Sequence, residues 1–404
     1  MKVKDIVILV GGRGSRINKF TKKIPKPLIK IGSRSFLDQL ICKLIKYNFK
    51  KIYLLCSYKK NIFFNKYHRK KIHNSQIICV DEGEQKDTGG ALYKLRNKIK
   101  NNFILMNGDT YFNIDLDIMS SINMDKTIGV MALTFTKNLF NNNKINNLKL
   151  KKNNEIIFTK NKSKFSNGGI YLFKKEIFKY VTNKKQSLEN EILFKLITKK
   201  KIKGILFREE IIDIGSYTKL NLLKKQSKIL KNKAFFLDRD GVINKENGYI
   251  LKFSQLKILP GTQQAIQLLN KKKFIVIILT NQAAVGKGLM TENELENIHL
   301  KMINQIKNYK NSEINDIYYA PYYKKSKKMK YRKNFKDRKP NIGMFTKAIN
   351  KWNIDPTKSY FIGDKNTDKK ASKKASVKFY YKKKISLYKQ IKSILNESKN
   401  IKTL

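Results

Sequence analysis

The feature that most constrains this chain is an apolar run that ends in two closely spaced carboxylates. Phe236 and Leu237 lead into Asp238 and Asp240, which stand one residue apart, and Gly241 follows. Carboxylates held close together repel each other and shift each other's pKa. They normally need a cation, and ligation by oxygen alone suits Mg²⁺. The pattern therefore predicts a strand that delivers two acids to a magnesium site, although Asp-Gly also occurs in ordinary surface turns.

Later segments place further polar side chains in a similar setting. They are the apolar run Phe274–Leu279 followed by Thr280 and Asn281, the basic pair Arg338 and Lys339, and the short run Tyr360–Gly363 followed by Asp364 and Asp368. Continuous apolar runs are typical of buried parallel strands, and ligands of open α/β sheets bind at the carboxyl ends of the strands. We therefore expect all four segments at strand ends, where they can form one site.

In this order, the four segments resemble the motifs of the haloacid-dehalogenase (HAD) phosphatases. The resemblance implies that Asp238 is a nucleophile that forms an aspartyl-phosphate, and that Asp240 is the general acid and base. It implies that Mg²⁺ is held by Asp238, by the backbone carbonyl of Asp240 and by Asp364. It also implies phosphate or substrate contacts from Thr280, Asn281, Arg338 and Lys339.

The stretches DRDGVIN, TNQAAVGKG, RKPNIGM and GDKNTD are most similar to the heptose-bisphosphate and histidinol-phosphate phosphatases of this superfamily. About 40 residues separate Asp240 from Thr280, too few for a cap domain, so we expect an open site for small substrates. Members of this group usually carry a zinc loop. The matching positions here are Ala320, Tyr322, Phe335 and Asp337, and one carboxylate cannot form a tetrahedral site, so we expect no zinc.

The N-terminus carries a different pattern, in which the strand-like run Asp5–Val10 leads into a glycine-rich turn and then into Pro25-Lys26-Pro27. Glycine-rich turns after a first strand let backbone N–H groups approach phosphates. The turn matches neither the P-loop nor the dinucleotide fingerprint. It resembles the sugar-1-phosphate nucleotidyltransferases, which implies that Arg16 and Lys26 are catalytic groups that neutralise a nucleoside triphosphate.

The same resemblance implies the remaining contacts of this half. Nucleotide binding is expected from Gly11, Gly12, Gly14, Ser15, Thr88, Gly89 and Gly90. Sugar-phosphate binding is expected from Asn167, Gly168 and Lys160, and Mg²⁺ binding from Asp109 and Asp213. Positioning and Mg²⁺ dominate this chemistry, because nucleotidyl transfer requires little covalent work from the protein.

Three positions depart from the family pattern or leave alternatives open. Asp87 stands where these enzymes have glycine, and the turn is expected to persist because Asp tolerates positive φ better than most residues. The family's Phe-x-Glu-Lys element is reduced to Phe158-Thr159-Lys160, without the glutamate. Glu189, in Ser-Leu-Glu, resembles an element of heptose and mannose guanylyltransferases, and it is equally compatible with capping a helix.

These motifs predict two α/β domains, at residues 1–225 and 233–404, joined by a polar linker at 226–232. The first is expected to be a Rossmann-like nucleotidyltransferase domain with a mixed, GT-A-like sheet. The second is expected to be a HAD-like domain with a parallel sheet and no large cap.

The formal net charge is +58, from 88 Lys and Arg against 30 Asp and Glu. The lysines are spread over both halves and accompany abundant Asn and Ile, which indicates a bias toward A/T-rich codons. We therefore expect no specific nucleic-acid function, although the positive field should attract anionic sugar phosphates.

The remaining features indicate a cytoplasmic enzyme. Cys42, Cys56 and Cys79 have no C-x-x-C spacing and are expected to be core thiols in a reducing compartment. His68, His73 and His299 lie outside every motif, so we expect them to be structural or exposed. The longest apolar runs, of about six residues, are too short to span a membrane or to form a signal peptide.

Taken together, the resemblances imply a bifunctional enzyme of nucleotide-activated heptose synthesis. The expected substrates are heptose 1,7-bisphosphate, heptose 1-phosphate and GTP, and the oligomeric state is open. One alternative is a mannose-1-phosphate or other hexose-1-phosphate nucleotidyltransferase fused to a histidinol-phosphate-like phosphatase. Another is an inactive scaffold that binds anionic polymers, against which both sets of charged motif residues argue.

Overall fold

Two α/β units follow one another along the chain, Met1–Leu230 and Lys231–Leu404. The structure is a computed structural model that describes residues 3–14, 17, 21–84, 86–135, 148–159, 163–310, 312–333 and 335–400. The division between the units falls inside the polar segment 226–232. Within that segment Ser227–Leu230 form a 3-10 helix, and Leu230 is buried in the N-terminal core.

The N-terminal unit is built from short strands and helices that alternate along the chain. Its strands are β1 (Asp5–Leu9), β2 (Lys30–Ile31), β3 (Arg34–Ser35), β4 (Lys51–Cys56), β5 (Lys71–Ile72), β6 (Ser75–Asp81), β7 (Phe103–Asn107), β8 (Thr110–Phe112), β9 (Gly129–Phe135), β10 (Leu148–Leu150), β11 (Ile156–Phe158), β12 (Phe165–Phe173), β13 (Ile202–Leu206) and β14 (Ile211–Asp213). Its α-helices are α1 (Phe36–Leu44), α2 (Lys60–Tyr67), α3 (Asp87–Leu92), α4 (Leu116–Ser120), α5 (Phe194–Thr198) and α6 (Tyr217–Lys225). Short segments of 3-10 or π-helix occur at Lys26–Leu28, Ile45–Tyr47, Tyr93–Leu95, Lys175–Tyr180 and Leu188–Leu193.

The main sheet of this unit is mixed, as predicted. Strand β1 is central and pairs in parallel with β4 and β7, whereas β12 pairs antiparallel with β7 and β9. The run Ile6–Ile8 is fully buried, because apolar clusters cover both faces of the sheet. This topology brings the carboxyl ends of β1 and β7 side by side, so the glycine-rich turn lies next to the Asn107-Gly108-Asp109 segment.

The C-terminal unit has one parallel sheet with the strand order β17-β16-β15-β18-β19. Its strands are β15 (Ala234–Leu237), β16 (Ile275–Asn281), β17 (Asp316–Ala320), β18 (Tyr360–Gly363) and β19 (Lys378–Tyr381). Its α-helices are α7 (Thr262–Lys271), α8 (Ala283–Gly286), α9 (Glu292–Lys307), α10 (Gly343–Trp352), α11 (Asn366–Lys374) and α12 (Leu387–Asn400). Short 3-10 helices occur at Phe253–Gln255, Met329–Tyr331, Phe335–Asp337 and Pro356–Lys358.

The connection between β15 and β16 holds only a 3-10 helix, α7 and irregular chain, so the expectation of no large cap is confirmed. The three central strands β16, β15 and β18 end at the same edge of the sheet, because they are parallel and in register. Asp238, Thr280 and Asp364 lie at these ends. Among the described residues, no helix is both long enough and apolar enough to cross a membrane.

Candidate functional site

In the C-terminal unit, the chain makes a sharp turn directly after β15. The amide of Asp238 donates to the carbonyl of Ile362 at 3.0 Å, which anchors the end of β15 to β18. Gly241 has a φ of +76°, and a Cβ atom there would lie 2.5 Å from Oδ2 of Asp364. Only glycine therefore allows the Asp238-to-Gly241 turn to approach the acid at the end of β18.

A buried lysine joins two of the acids at this edge. Nζ of Lys339 lies 2.9 Å from Oδ1 of Asp238 and 2.6 Å from Oδ1 of Asp368, and it donates to the carbonyl of Leu279 at 2.9 Å. All three charged side chains are buried. Burial raises the pKa of Asp238, and Asp368 adds to this effect although Lys339 opposes it. The sequence analysis includes Asp368 in the fourth segment but gives it no role. Its position four residues after Asp364 is the feature of the sequence that could have indicated one.

The acids at this edge fit a divalent cation. One carboxylate oxygen from each of Asp238, Asp364 and Asp368 lies within 4.8 Å of the others. Oδ1 of Asp364 is buried without a hydrogen-bond partner among the described residues, and burial raises the pKa of this carboxyl. Three carboxylates against Lys339 leave an excess of negative charge, and hard oxygen ligands suit Mg²⁺.

Asp240 lies in a different environment, where donors surround its carboxylate. Arg239 donates to both oxygens at 2.8 Å, Asn244 donates at 2.9 Å and Gln282 at 2.8 Å. Burial raises the pKa of Asp240, but Arg239 and these hydrogen bonds outweigh it, so the net pKa lies below the ordinary value. The sequence motifs did not indicate that Arg239 and Gln282 donate hydrogen bonds to this carboxylate.

One expectation for this site needs correction. Lys339 does not follow a strand end, because it lies in the loop between the 3-10 helix Phe335–Asp337 and α10. The amide of Asn281 is engaged by the backbone of Lys339, since Nδ2 donates to its carbonyl at 3.1 Å and Oδ1 accepts from its amide at 3.0 Å. Asn281 thus helps to hold the lysine in place. The second N–H of its amide and the hydroxyl of Thr280, buried at the end of β16, stay predicted phosphate contacts.

The positions that match the zinc loop are held by other contacts. Ala320 is buried at the end of β17, and the rings of Tyr322 and Phe335 lie 6.2 Å apart. Asp337 pairs with Lys347, with 2.5 Å between Oδ2 and Nζ. Deeper in the loop, the buried Tyr331 donates to Glu292 at 2.7 Å. The residues at the four positions are thus held by burial, by aromatic packing and by an ion pair.

We expect these contacts to make the loop independent of zinc. Phosphatase activity and thermal stability should be unchanged after treatment with a zinc-selective chelator, when Mg²⁺ is supplied. Tyr331→Phe should instead lower the free energy of unfolding by about 0.5–1.5 kcal/mol, through loss of one hydrogen bond. Finding about one zinc per chain, or a loss of stability on chelation that Mg²⁺ does not restore, would contradict this prediction.

In the N-terminal unit, a cavity of about 340 Å³ opens beside the end of β1. The residues named from the sequence that line it are Gly11, Gly12, Gly14, Lys26, Thr88 and Asp109. Glu82 also lines it, and a Cβ atom at Gly11 would lie 2.6 Å from the Glu82 carboxylate. Ser15, Arg16 and Lys160 lie outside the described residues.

The two acids expected to bind metal here are brought together by the backbone. Asp213 pairs in register with Thr110 between β14 and β8, and the amide of Ile214 donates to the carbonyl of Asp109 at 2.9 Å. Lys26 contacts Asp109, with 2.5 Å between Nζ and Oδ2, and Lys219 forms an ion pair with Asp213. Both acids offer the oxygen ligands that Mg²⁺ prefers, and their binding of the metal stays a prediction.

Other expected contacts of this half have different partners. The amides of Gly89 and Gly90 both donate to the carbonyl of Gln186, at 2.9 and 3.0 Å, and neither glycine lines the cavity. These two glycines therefore pack α3 against the neighbouring segment, and their contact with the nucleotide stays a prediction. Asp87 has a φ of +58°, so the turn persists without the family's glycine.

The side chain of Glu189 accepts from the hydroxyl of Thr88 at 2.8 Å, whereas Ser187 caps the helical turn. Glu189 therefore contacts Thr88, which lines the cavity, and it does not cap the helical turn. Asn167 donates to the hydroxyl of Tyr171 at 2.6 Å and accepts from the amide of Gly169 at 2.9 Å. Neither Asn167 nor Gly168 lines the cavity.

Comparisons with known proteins match each unit separately. The nucleotidyl transferase family model matches residues 5–229, and the polynucleotide kinase 3 phosphatase model matches residues 233–389. The chain is 35% identical over 144 residues to the D-glycero-beta-D-manno-heptose-1,7-bisphosphate 7-phosphatase of Rhodopseudomonas palustris, covering 36% of this chain and 79% of that protein. It is 32% identical over 221 residues to the bifunctional protein GlmU of Methanococcus vannielii, covering 52% of each.

Among solved structures, the chain resembles HddC from Yersinia pseudotuberculosis, with 26% identity and a TM-score of 0.47 over 56% of this chain and all of that one. The first unit contains the glycine-rich turn and the paired acids, and the second contains the acids clustered around Lys339. The chain therefore belongs to the nucleotidyl transferase family through its first unit and to the family of the heptose-bisphosphate 7-phosphatases through its second, and it combines a nucleotidyltransferase with a phosphatase.

Proposed function

We propose that the two units catalyse consecutive steps in the synthesis of a nucleotide-activated heptose. The C-terminal unit removes the 7-phosphate from heptose 1,7-bisphosphate, and the N-terminal unit joins the resulting heptose 1-phosphate to GMP from GTP. The observation that carries this proposal is the presence, in one chain, of a relative of a 7-phosphatase and a nucleotidyl transferase. Removal of the 7-phosphate leaves the sugar 1-phosphate that the second reaction requires.

In the phosphatase reaction, a carboxylate oxygen of Asp238 attacks phosphorus and the bond to the sugar oxygen breaks. The negative charge of the bound phosphate raises the low resting pKa of Asp240, so that the group takes up a proton when the substrate binds. Asp240 gives this proton to the sugar oxygen and then takes one from the water that hydrolyses the aspartyl-phosphate. Lys339 and the Thr280 hydroxyl stabilise the transferring phosphoryl group. Asp238, Asp364, Asp368 and the Asp240 carbonyl would hold Mg²⁺, which supplies positive charge to the phosphoryl oxygens.

Two further cationic side chains support a substrate with a second phosphate. Nζ of Lys287 lies 4.9 Å from the ring centre of Tyr249 and 5.0 Å from that of Tyr323. Tyr249 also interacts electrostatically with Arg338, whose Nη1 is buried without a hydrogen-bond partner among the described residues. We assign Lys287 and Arg338 to the phosphate that is retained, since guanidinium groups form paired hydrogen bonds with phosphate.

In the transfer reaction, an oxygen of the sugar 1-phosphate attacks the α-phosphorus of the nucleotide and pyrophosphate leaves. The backbone from Gly11 to Gly14 approaches the phosphates, and Lys26 leaves Asp109 to neutralise the triphosphate. Asp109 and Asp213 would hold Mg²⁺ at the phosphate oxygens. Thr88 lines the cavity where the nucleotide would bind, and its hydrogen bond to Glu189 fixes its side chain.

Glu82 supports guanine as the base. Its buried carboxylate lines the cavity, and no described residue donates a hydrogen bond to it. A carboxylate offers only acceptors, which suits the adjacent N–H donors of guanine and disfavours the carbonyls of uracil. Burial, with a contribution from Asp81, raises the pKa of Glu82 to about 7.

We therefore expect Glu82→Gln to lower the ratio of kcat/KM for GTP over UTP by about 10- to 100-fold, the range for one paired base contact. Because guanine binds the ionised carboxylate, the KM of the wild type for GTP should rise as the pH falls below about 7 and level off above it. Glu84→Gln, on the same loop and exposed, is the matched control. An unchanged base preference in Glu82→Gln would remove Glu82 from base recognition.

The proposed function is tested by incubating the full chain with heptose 1,7-bisphosphate, Mg²⁺ and each of the four nucleoside triphosphates in turn. We expect release of phosphate without nucleotide, and pyrophosphate with NDP-heptose when GTP is present. Mannose 1-phosphate with GTP is the competing substrate for the first unit. Faster transfer to mannose 1-phosphate, or no phosphate from the bisphosphate, would contradict the assignment of the sugar.

A further inference from the structure

In the sequence, a fully buried arginine stands between the two candidate catalytic acids, Asp238 and Asp240. Arg239 is 1% exposed, and it donates to Asp240 from Nε at 3.1 Å and from Nη2 at 2.8 Å to each oxygen. Two groups on one planar guanidinium therefore fix the plane of the Asp240 carboxylate. The third nitrogen, Nη1, points away from Asp240 and lies 3.1 Å from Nε2 of His299.

Among the described residues, only the side chain of His299, on α9, is hydrogen-bonded to Nη1 of Arg239. A guanidinium has donors and no acceptor, so Nε2 of His299 must accept, and the ring proton must be on Nδ1. The imidazole is in the neutral form that can accept, because burial and Arg239 lower its pKa to about 3.

His299 makes its polar contact with Arg239. Its side chain is 2% exposed, and Nδ1 is buried without a hydrogen-bond partner among the described residues. An apolar side chain would avoid the desolvation cost of Nδ1, but it would leave Nη1 of Arg239 without this acceptor. The ring does pack 5.8 Å from that of Tyr319, but a phenylalanine would retain this contact.

We propose that His299 is a positioning residue of the phosphatase: it holds Arg239 in the orientation that aims the Asp240 carboxyl group at the leaving oxygen. This inference rests on the proposed role of Asp240 as acid and base. Asn244 and Gln282 contact the same carboxylate, but only Arg239 binds both of its oxygens. Release of Nη1 lets the guanidinium rotate and lets Asp240 turn with it.

The orientation of the Asp240 carboxyl group matters differently for the two half-reactions and for different leaving groups. In the first, the bond from Asp238 to phosphorus forms, the bond from phosphorus to the leaving oxygen breaks, and a proton passes from Asp240 to that oxygen. An alkoxide needs this proton, whereas 4-nitrophenolate is stable without it. In the second, water bonds to phosphorus, its proton passes to Asp240, and the bond to Asp238 breaks.

The test compares two substrates on the full chain with Mg²⁺. For His299→Phe we expect the single-turnover rate on a primary alkyl phosphate to fall about 10²-fold, the lower range for loss of a general acid. The rapid first release of 4-nitrophenol from 4-nitrophenyl phosphate should stay within a few-fold of wild type. His299→Gln should restore the alkyl rate, because the glutamine oxygen can accept from Arg239.

Ile306→Ala, two turns along α9 and also buried, controls for loosened helix packing and should not separate the two substrates. Equal losses on both substrates in folded His299→Phe, or no loss on either, would overturn the positioning role. If that variant does not fold, Arg239→Lys is measured on the same two substrates and interpreted by the same criteria. Lysine keeps the positive charge but lacks the planar guanidinium that binds both carboxylate oxygens. A wild type that hydrolyses neither substrate would overturn the phosphatase function itself.

Discussion

Asp238→Asn is expected to abolish phosphate release while leaving nucleotidyl transfer within a few-fold of wild type. The asparagine amide has nearly the same shape but no nucleophilic oxygen, so the aspartyl-phosphate cannot form. Loss of a nucleophile costs about 10⁴-fold or more in rate. Lys339 keeps its other buried partner, Asp368, at 2.6 Å, so the variant should remain folded. Phosphate and pyrophosphate release are measured on the same preparation.

Asp355→Asn is the matched control for this change. Asp355 lies in the same unit and caps the 3-10 helix Pro356–Lys358, where asparagine caps as well as aspartate does. Phosphate release in this control should be unchanged. If Asp238→Asn instead loses both activities while its melting temperature stays near that of wild type, the two reactions do not use separate sites.

The strands that lead into the motifs were predictable because their apolar runs are unbroken. β15 and β16 are buried nearly throughout, and the buried-run pattern places the polar residues that follow at one sheet edge. The left-handed Asp87 was predictable for a local reason, since few side chains tolerate that φ.

Contacts between distant parts of the chain were not predictable from one sequence. The Asn281 amide was expected at a phosphate, and it is engaged by the backbone of Lys339, which comes from a loop far along the chain. Motif spacing gives the type of side chain and not its partner. His299 shows the same limit, because the helical pattern of α9 predicts which face is buried but not that the ring meets Arg239.

Lys26→Ala is expected to lower the rate of nucleotidyl transfer by about 10²–10³-fold, the usual cost of one electrostatic stabiliser of the transition state, and to leave phosphate release unchanged. Lys26 is buried beside Asp109, within reach of the cavity that the glycine-rich turn lines. In the proposed reaction it leaves this acid for the triphosphate, so the loss should appear in pyrophosphate release.

Lys66→Ala removes the lysine of a partly exposed ion pair with Asp38 in the same unit and serves as the control. Such pairs contribute about 0–1 kcal/mol, so transfer should be nearly unaffected. Asp109→Ala is also expected to slow transfer and to leave phosphate release unchanged, because Asp109 would hold Mg²⁺ for the same reaction. An unchanged rate of pyrophosphate release in Lys26→Ala would remove the segment from Gly11 to Lys26 from the nucleotide site.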